Sequence, residues 1–305
     1  MKKVAICISG QYRTFDKIWM ENRKILEKDK GYKIYYFCFF WKYKGNTHKI
    51  LDGHNRSIKT LYLDPFHYFP TKEFQKVSKF EIEKIIPNAK IKISQISEKK
   101  MLDQDGLGNI LRKYPHNKKD AFNSFCLWKS IQLCDQIRID FEKKNKIKFD
   151  IVMRIRPDWK LKKNPLSIFL KKKNKILFFD STPIKIKKQN YLSVTDVCFV
   201  SHVQVWNKVS KLYLDWVSEI KKRGWIKYEY GAKVFNYKLI AETTLFWFLK
   251  KQKIRINTNT LGGYGFTYRY NYENRYIKKE FSLKLLINQI LEFPKKLVNN
   301  LINQL

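Results

Sequence analysis

The stretch Val4-Ala5-Ile6-Cys7-Ile8-Ser9-Gly10-Gln11 decides the fold class. A short, continuous apolar run rich in β-branched residues predicts a strand buried on both faces, and Ser-Gly-Gln closes it into a loop. From Phe15 to Asp29 the residues Phe15, Ile18, Trp19, Ile25 and Leu26 recur near helical spacing. Lys33 to Trp41 (Lys-Ile-Tyr-Tyr-Phe-Cys-Phe-Phe-Trp) then reads as a second buried strand, so aromatic that both of its faces must be covered. The chain therefore opens as strand, helix, strand and predicts an α/β fold. Such a unit takes its ligand outside the carboxyl ends of its strands, here at Ser9 to Arg13 and after Trp41.

Working outward, Asn46 to Lys79 reads as irregular, with Asp52-Gly53, Asp64-Pro65 and Phe69-Pro70 as turn signals. A brief helix is expected over Phe80 to Ile86 and a strand over Lys90 to Ile96. Met101 to Lys118, with Asp105-Gly106-Leu107-Gly108 inside it, reads as a mobile loop. Asp120 to Lys144 is the clearest helix, with Asp120 as N-cap and an apolar face of Phe122, Phe125, Trp128, Ile131, Leu133, Ile137 and Phe141. Further strands are expected at Lys175 to Asp180, Val194 to Val200 and Lys253 to Asn257, and helices at about Val203 to Lys222 and Ala232 to Lys251. The domain expected is residues 1–280, followed by an amphipathic helical tail, 281–305, interrupted at Pro294.

The chain has 305 residues, and 63 Lys+Arg against 27 Asp+Glu give it a formal net charge of +36. Hydrophobic residues make up 44% and aromatics 16%, enough to bury a core, so a disordered basic tail is excluded. Lys is scattered through every segment with Ile and Asn, a pattern that AT-rich coding bias also produces. A duplex-DNA reader concentrates its cations on one face or helix instead. The surface will still attract anions, including nucleotide phosphates, acidic glycans and anionic lipid headgroups. Five scattered cysteines without CxxC spacing read as reduced core residues in a cytoplasmic protein. The five histidines form no metal-binding spacing. The first apolar run is too short for a signal peptide, and no segment approaches the roughly 18 apolar residues of a membrane span.

The most informative stretch for chemistry is Phe149-Asp150-Ile151-Val152-Met153-Arg154-Ile155-Arg156-Pro157-Asp158. If extension persists through Pro157, then Asp150, Val152, Arg154, Arg156 and Asp158 share one side. Buried guanidinium groups need anions or carboxylates to pair with. Two readings stand. One is a structural ion-pair cluster, Arg154 with Asp150 or Arg156 with Asp158. The other is an anion site, in which the arginines hold a diphosphate or acidic group by forked hydrogen bonds and Asp158 holds a metal or a sugar hydroxyl. Gly10 would let the backbone approach a nucleotide, with Arg13 on its phosphates or ribose, or would simply end the strand. Asp196, an acid in an otherwise apolar run, is a candidate for binding sugar hydroxyls or acting as base. Glu242 opens a helix, where it suits the macrodipole or deprotonates an acceptor.

Ile6-Cys7-Ile8-Ser9-Gly10-Gln11-Tyr12-Arg13-Thr14-Phe15 together with Asp150 to Asp158 resembles bacterial surface-polysaccharide proteins that carry SGQxRTF and D-x-V-x-R-x-R-x-D motifs. Among these it resembles the WavE lipopolysaccharide-synthesis family. The resemblance covers roughly residues 1 to 270 as a pattern and adds Thr195-Asp196 and Ala241-Glu242. It implies a GT-A-like fold with a mostly parallel central sheet and a glycosyltransferase. The donor would be a nucleotide-sugar held by Gly10, Arg13, Arg154, Arg156 and Asp158, and the catalytic base Asp196 or Glu242. The acceptor would be a surface polysaccharide or lipid-linked glycan, reached by peripheral contact with an anionic membrane. The usual Asp-x-Asp metal pair is replaced by Arg156-Pro157-Asp158. Either Asp158 helps bind a divalent Mg or Mn ion, or the arginines neutralise the leaving diphosphate and no metal is needed. The rivals are a glycan sulfo- or phosphotransferase, for which no GxxxxGK[ST] cradle is present, and a basic nucleic-acid-binding protein, whose stacking aromatics would instead have to leave the core.

Overall fold

Strand β1 (Lys2–Gly10), helix α1 (Phe15–Glu27) and strand β2 (Tyr32–Phe40) form the expected opening unit, with β1 and β2 parallel from Lys2↔Tyr32 to Gly10↔Phe40. In the computed structural model the residues described are 1–44, 75–112, 118–166, 175–179, 184–186, 189–191, 194, 196–223, 228–230, 233–235, 241–259 and 265–267. All lie in one of the chain's two compact units, the one made of residues 1–47 and 64–269. The turn signals from Asp52 to Pro70 and the expected tail 281–305 fall outside the described residues.

Period-two alternation explains why β1 and β2 have no polar face. Ala5, Cys7, Phe37 and Phe39 enter one core, while Val4, Ile6, Ile8, Cys38 and Phe40 enter the other. The remaining strands are β3 (Lys90–Ile93), β4 (Ile151–Ile155), β5 (Trp159–Leu161), β6 (Lys175–Phe179), β7 (Ile184–Ile186), β8 (Gln189–Tyr191), β9 (Cys198–His202), β10 (Tyr228–Tyr230), β11 (Lys233–Phe235), β12 (Arg255–Asn259) and β13 (Gly265–Thr267). Seven of them build one sheet in the order β12-β6-β9-β4-β1-β2-β3. Every neighbouring pair in it is parallel except those of β9, which runs antiparallel to both β4 and β6. The molecule is thus α/β with a mixed, mostly parallel sheet. The pairs β5-β13, β7-β8 and β10-β11 are small antiparallel additions.

Helix α1 and α2 (Lys79–Ile85) cover one face, burying Phe15, Ile18, Trp19, Leu26, Ile82 and Ile85. The other face carries α3 (Glu98–Gln104), α4 (Gly108–Arg112), α5 (Lys118–Asn145), α6 (Val203–Val209), α7 (Leu212–Arg223) and α8 (Ala241–Lys251). No helix among the described residues is long and apolar enough to cross a membrane.

Several boundaries differ from expectation for local reasons. The segment expected as a loop from Met101 folds as α3 and α4, with Leu102, Leu107 and Leu111 buried. Ser97 caps α3 by accepting from the Lys100 N–H at 3.3 Å, and Gly106, at φ +75°, ends it in the left-handed conformation. Asp105-Gly106 is a helix stop. Helix α5 starts at Lys118, so Asp120 lies in its first turn and not at its N-cap. The helix expected over 203–222 breaks into α6 and α7 between Val209 and Leu212, and the one expected from Ala232 begins at Ala241, after the β10-β11 pair.

Side chains of α1 fix the path of the chain after β4. Asn22, fully buried on α1, donates through Nδ2 to the Trp159 carbonyl at 2.7 Å and accepts from the Leu161 N–H at 2.8 Å. Trp19 adds an indole donor to the Pro157 carbonyl at 2.9 Å. The Asn22 amide supplies β5 with the partners a neighbouring strand would give. Asn22→Leu orphans two buried backbone groups and is expected to lower stability by about 2–4 kcal/mol, read by urea denaturation.

Candidate functional site

The order β4-β1-β2-β3 places the topological switch point between β1 and β4. Their register, Val4↔Ile151 to Ile8↔Ile155, brings both carboxyl ends to one edge. At that edge Gly10 adopts φ +126°, a conformation that side chains disfavour, and its position lies against the Pro157 ring. Arg13 is also left-handed, at φ +47°, and is fixed by its own N–H donating to the Lys44 carbonyl at 2.6 Å. Gly10 and Asp158 therefore belong to one site.

Strand β4 ends at Ile155, and the Trp159 N–H closes a turn on the Arg156 carbonyl at 3.0 Å. Extension does not persist through Pro157, because proline favours the second position of such a turn. Asp158 instead swings back from the turn. Its carboxylate, wholly buried, accepts from Arg13 Nη1 at 2.8 Å and from Arg156 Nε at 2.5 Å. Arg156 Nη1 lies 3.7 Å from the Asp196 carboxylate. On the other side, Arg13 Nε donates to Gln11 Oε1 and Gln11 Nε2 donates to Glu98 Oε1, both at 3.2 Å. Glu98, Gln11, Arg13, Asp158, Arg156 and Asp196 thus form one continuous polar chain across the carboxyl edge of the sheet.

A cavity of about 380 Å³ opens above this chain, within the range of small-ligand sites. Gly10, Arg13, Arg156, Asp196 and Glu242 line it, five of the seven residues singled out in the sequence. Asp196 arrives because antiparallel β9 starts where β4 ends, at Ile155↔Cys198. It sits in the bend before β9, not inside a strand from Val194, and Thr195 lies outside the described residues. Glu242 stands in the first turn of α8, whose Glu242 carbonyl accepts from the Val194 N–H at 3.4 Å. Arg154 and Asp158 lie behind the lining. Arg154 is fully buried, donates through Nη1 to the Asp196 main-chain carbonyl, and has no hydrogen-bond partner for Nε or Nη2 among the described residues.

The two arginines of this strand end are in opposite electrostatic states. Burial pulls Arg154 down to about 10, only partly countered by Asp196 and worsened by Arg156. Burial also works against Arg156, but Asp158 and Asp196 outweigh it and hold its pKa above the ordinary arginine value. Both remain protonated at neutral pH. Of the ion pairs expected from the sequence, Arg156 with Asp158 is present. Arg154 does not pair with Asp150, whose carboxylate accepts from the Lys3 N–H at 2.8 Å at the far end of the strand.

Asp158 does not suit a divalent metal. Its two oxygens are each held by a guanidinium, and the carboxylate is sealed from solvent. Among the described residues no group of three or more His, Cys, Asp or Glu is placed to hold a metal ion. Cys126 lines the cavity, but burial and Glu98 push its thiol well above the usual range, which argues against a nucleophile. All five cysteines are free and buried. Trp41, Glu98 and, near the start of α5, Phe122, Asn123, Ser124, Cys126 and Leu127 also line the cavity and were not singled out by the sequence. Glu98 follows the carboxyl end of β3, so carrying the carboxyl-end rule to every strand would have found it.

No protein-family model matches this chain, and no curated protein matches it either.

Proposed function

We propose that the chain is a glycosyltransferase of the GT-A type, moving a sugar from a nucleotide-sugar donor to a surface-polysaccharide or lipid-linked glycan acceptor. The carrying observation is the convergence of Gly10, Arg13 and Arg156 with the carboxylates Asp196 and Glu242 around one cavity at the switch point of the sheet. Open α/β sheets bind nucleotides there. Two guanidinium groups held in place by a buried carboxylate form a preorganised seat for donor phosphates, and stabilise the charge that develops on the leaving group without rearranging. With Asp158 occupied by arginines, charge neutralisation falls to Arg13 and Arg156 and no metal enters the scheme. Asp196 and Glu242 are the two candidates for engaging sugar hydroxyls and for taking the acceptor proton. The net charge of +36 favours anionic donors and acceptors at an anionic membrane surface.

Calorimetric titration of UDP, GDP, CDP and CMP tests the donor seat. At least one is expected to bind, and Arg156→Ala to weaken it roughly 10- to 150-fold, the equivalent of one charge-assisted hydrogen bond. Binding by none of the four removes the donor-site reading.

A further inference from the structure

We propose that Arg154 is a positioning residue, which holds the Asp196 segment over the cavity and does not itself touch the ligand. The inference rests on the proposed function for what Asp196 does, and on geometry alone for what Arg154 does. Three contacts tie segment 196–197 to the end of β4. Arg154 Nη1 donates to the Asp196 carbonyl, the Arg156 N–H donates to the Val197 carbonyl at 2.8 Å, and Arg156 Nη1 faces the Asp196 carboxylate. The first comes from a residue outside the cavity lining, and it holds the main-chain carbonyl of Asp196 while leaving the carboxylate turned to Arg156.

Arg154 carries its charge against burial, which the carboxylates of Asp196 and Asp158 offset only in part. Its register neighbours are Cys7 on β1 and Phe199 on β9, both buried, and two of its nitrogens find no acceptor among the described residues. Arg154 makes no ion pair among the described residues, so replacing it by a well-packed apolar residue removes a desolvation cost and breaks no buried pair. What arginine provides is reach: a side chain long enough to run from the sheet to the main chain of the next strand's entry, ending in a fixed donor.

The test compares Arg154→Met and Arg154→Lys with wild type in the full chain, by hydrogen–deuterium exchange and thermal melting. Arg154→Met is expected to melt within about 3 °C of wild type or higher. Exchange in the peptide 194–199 should rise at least about tenfold while 151–155 and the core of α5 stay protected. Arg154→Lys, which restores a donor, should recover much of that protection. Nucleotide affinity of Arg154→Met should fall far less than that of Arg156→Ala. Unchanged exchange at 194–199 overturns the proposal, as does a general loss of protection with a collapsed melting temperature. An affinity loss equal to that of Arg156→Ala overturns it too, by making Arg154 a ligand contact. If wild type binds no nucleotide, the functional reading fails while exchange still decides the role of Arg154.

Discussion

Asp158→Ala is expected to lower the stability of the protein by about 2–4 kcal/mol, the lower part of the range for breaking a buried ion pair. The lower part applies because Arg13 and Arg156 keep some solvent access, with side chains 22% and 18% exposed, and so recover part of their hydration. Two guanidinium groups that shared one carboxylate are then left facing each other across an empty space. Inorganic phosphate should raise the melting temperature of this variant more than that of wild type, because an oxyanion replaces the missing charge. Asp158→Asn keeps the shape and one acceptor, and should fall between the two. Thermal melts of the three proteins with and without phosphate check the result. No phosphate effect specific to Asp158→Ala would show that the arginines are not aimed at a common anion position.

Asp135→Ala should cost about 3–5 kcal/mol, at a residue outside the cavity lining. Asp135 accepts from Arg138 Nε at 2.5 Å and from the Trp206 indole at 2.6 Å, and Arg138 is wholly buried. Burial works against the Arg138 charge, but the Asp135 hydrogen bond and carboxylate outweigh it and hold its pKa above the ordinary value. Arg138 reaches Glu142 at 2.7 Å and Asn207 at 2.8 Å as well, so the cluster fastens α5 to α6. Removing Asp135 leaves the buried Arg138 cation with the Glu142 carboxylate in place of two, and strands the Trp206 indole donor. The double replacement Asp135→Leu with Arg138→Met removes both charges and should lose much less than the single one. Equilibrium urea denaturation of both variants distinguishes these outcomes; equal losses would mean that packing, and not the weakened charge pairing, sets the cost.

The same cluster shows where sequence reading stops. Asp135, Arg138 and Glu142 stand three and four residues apart, the spacing of an ordinary solvated helix pair, and nothing in their order says that α6 covers them. The opening βαβ unit was legible because Val4 to Ile8 and Ile34 to Phe40 are apolar on both faces, a pattern that only a covered parallel strand satisfies. The reversed direction of β9 was not, since a buried run such as Cys198 to Val200 reads alike in either direction. Gly10, Arg13 and Arg156 could be placed near one another because the carboxyl ends of β1 and β4 gather at one edge of such a sheet, whereas Asp196 and Glu242 were singled out by their chemistry and not by their place. Arg154 and Arg156 looked equivalent in the sequence. The fold separates them because β4 ends between them, at Ile155: Arg154 stays in the strand and the core, and Arg156 opens the turn through Pro157 and lines the cavity. Asp158 reads in the sequence either as an open ligand or as a partner of Arg156, and the turn delivers its carboxylate between Arg13 and Arg156.

If the carboxyl edge of β1 and β4 is the nucleotide seat, a crystal structure with the nucleotide that binds tightest in solution shows it most directly. Phosphate oxygens within hydrogen-bonding distance of Arg13 and Arg156, with the backbone at Gly10 against the ligand, are the predicted result. A nucleotide bound elsewhere on the cationic surface, with this cavity holding only solvent, would contradict that assignment.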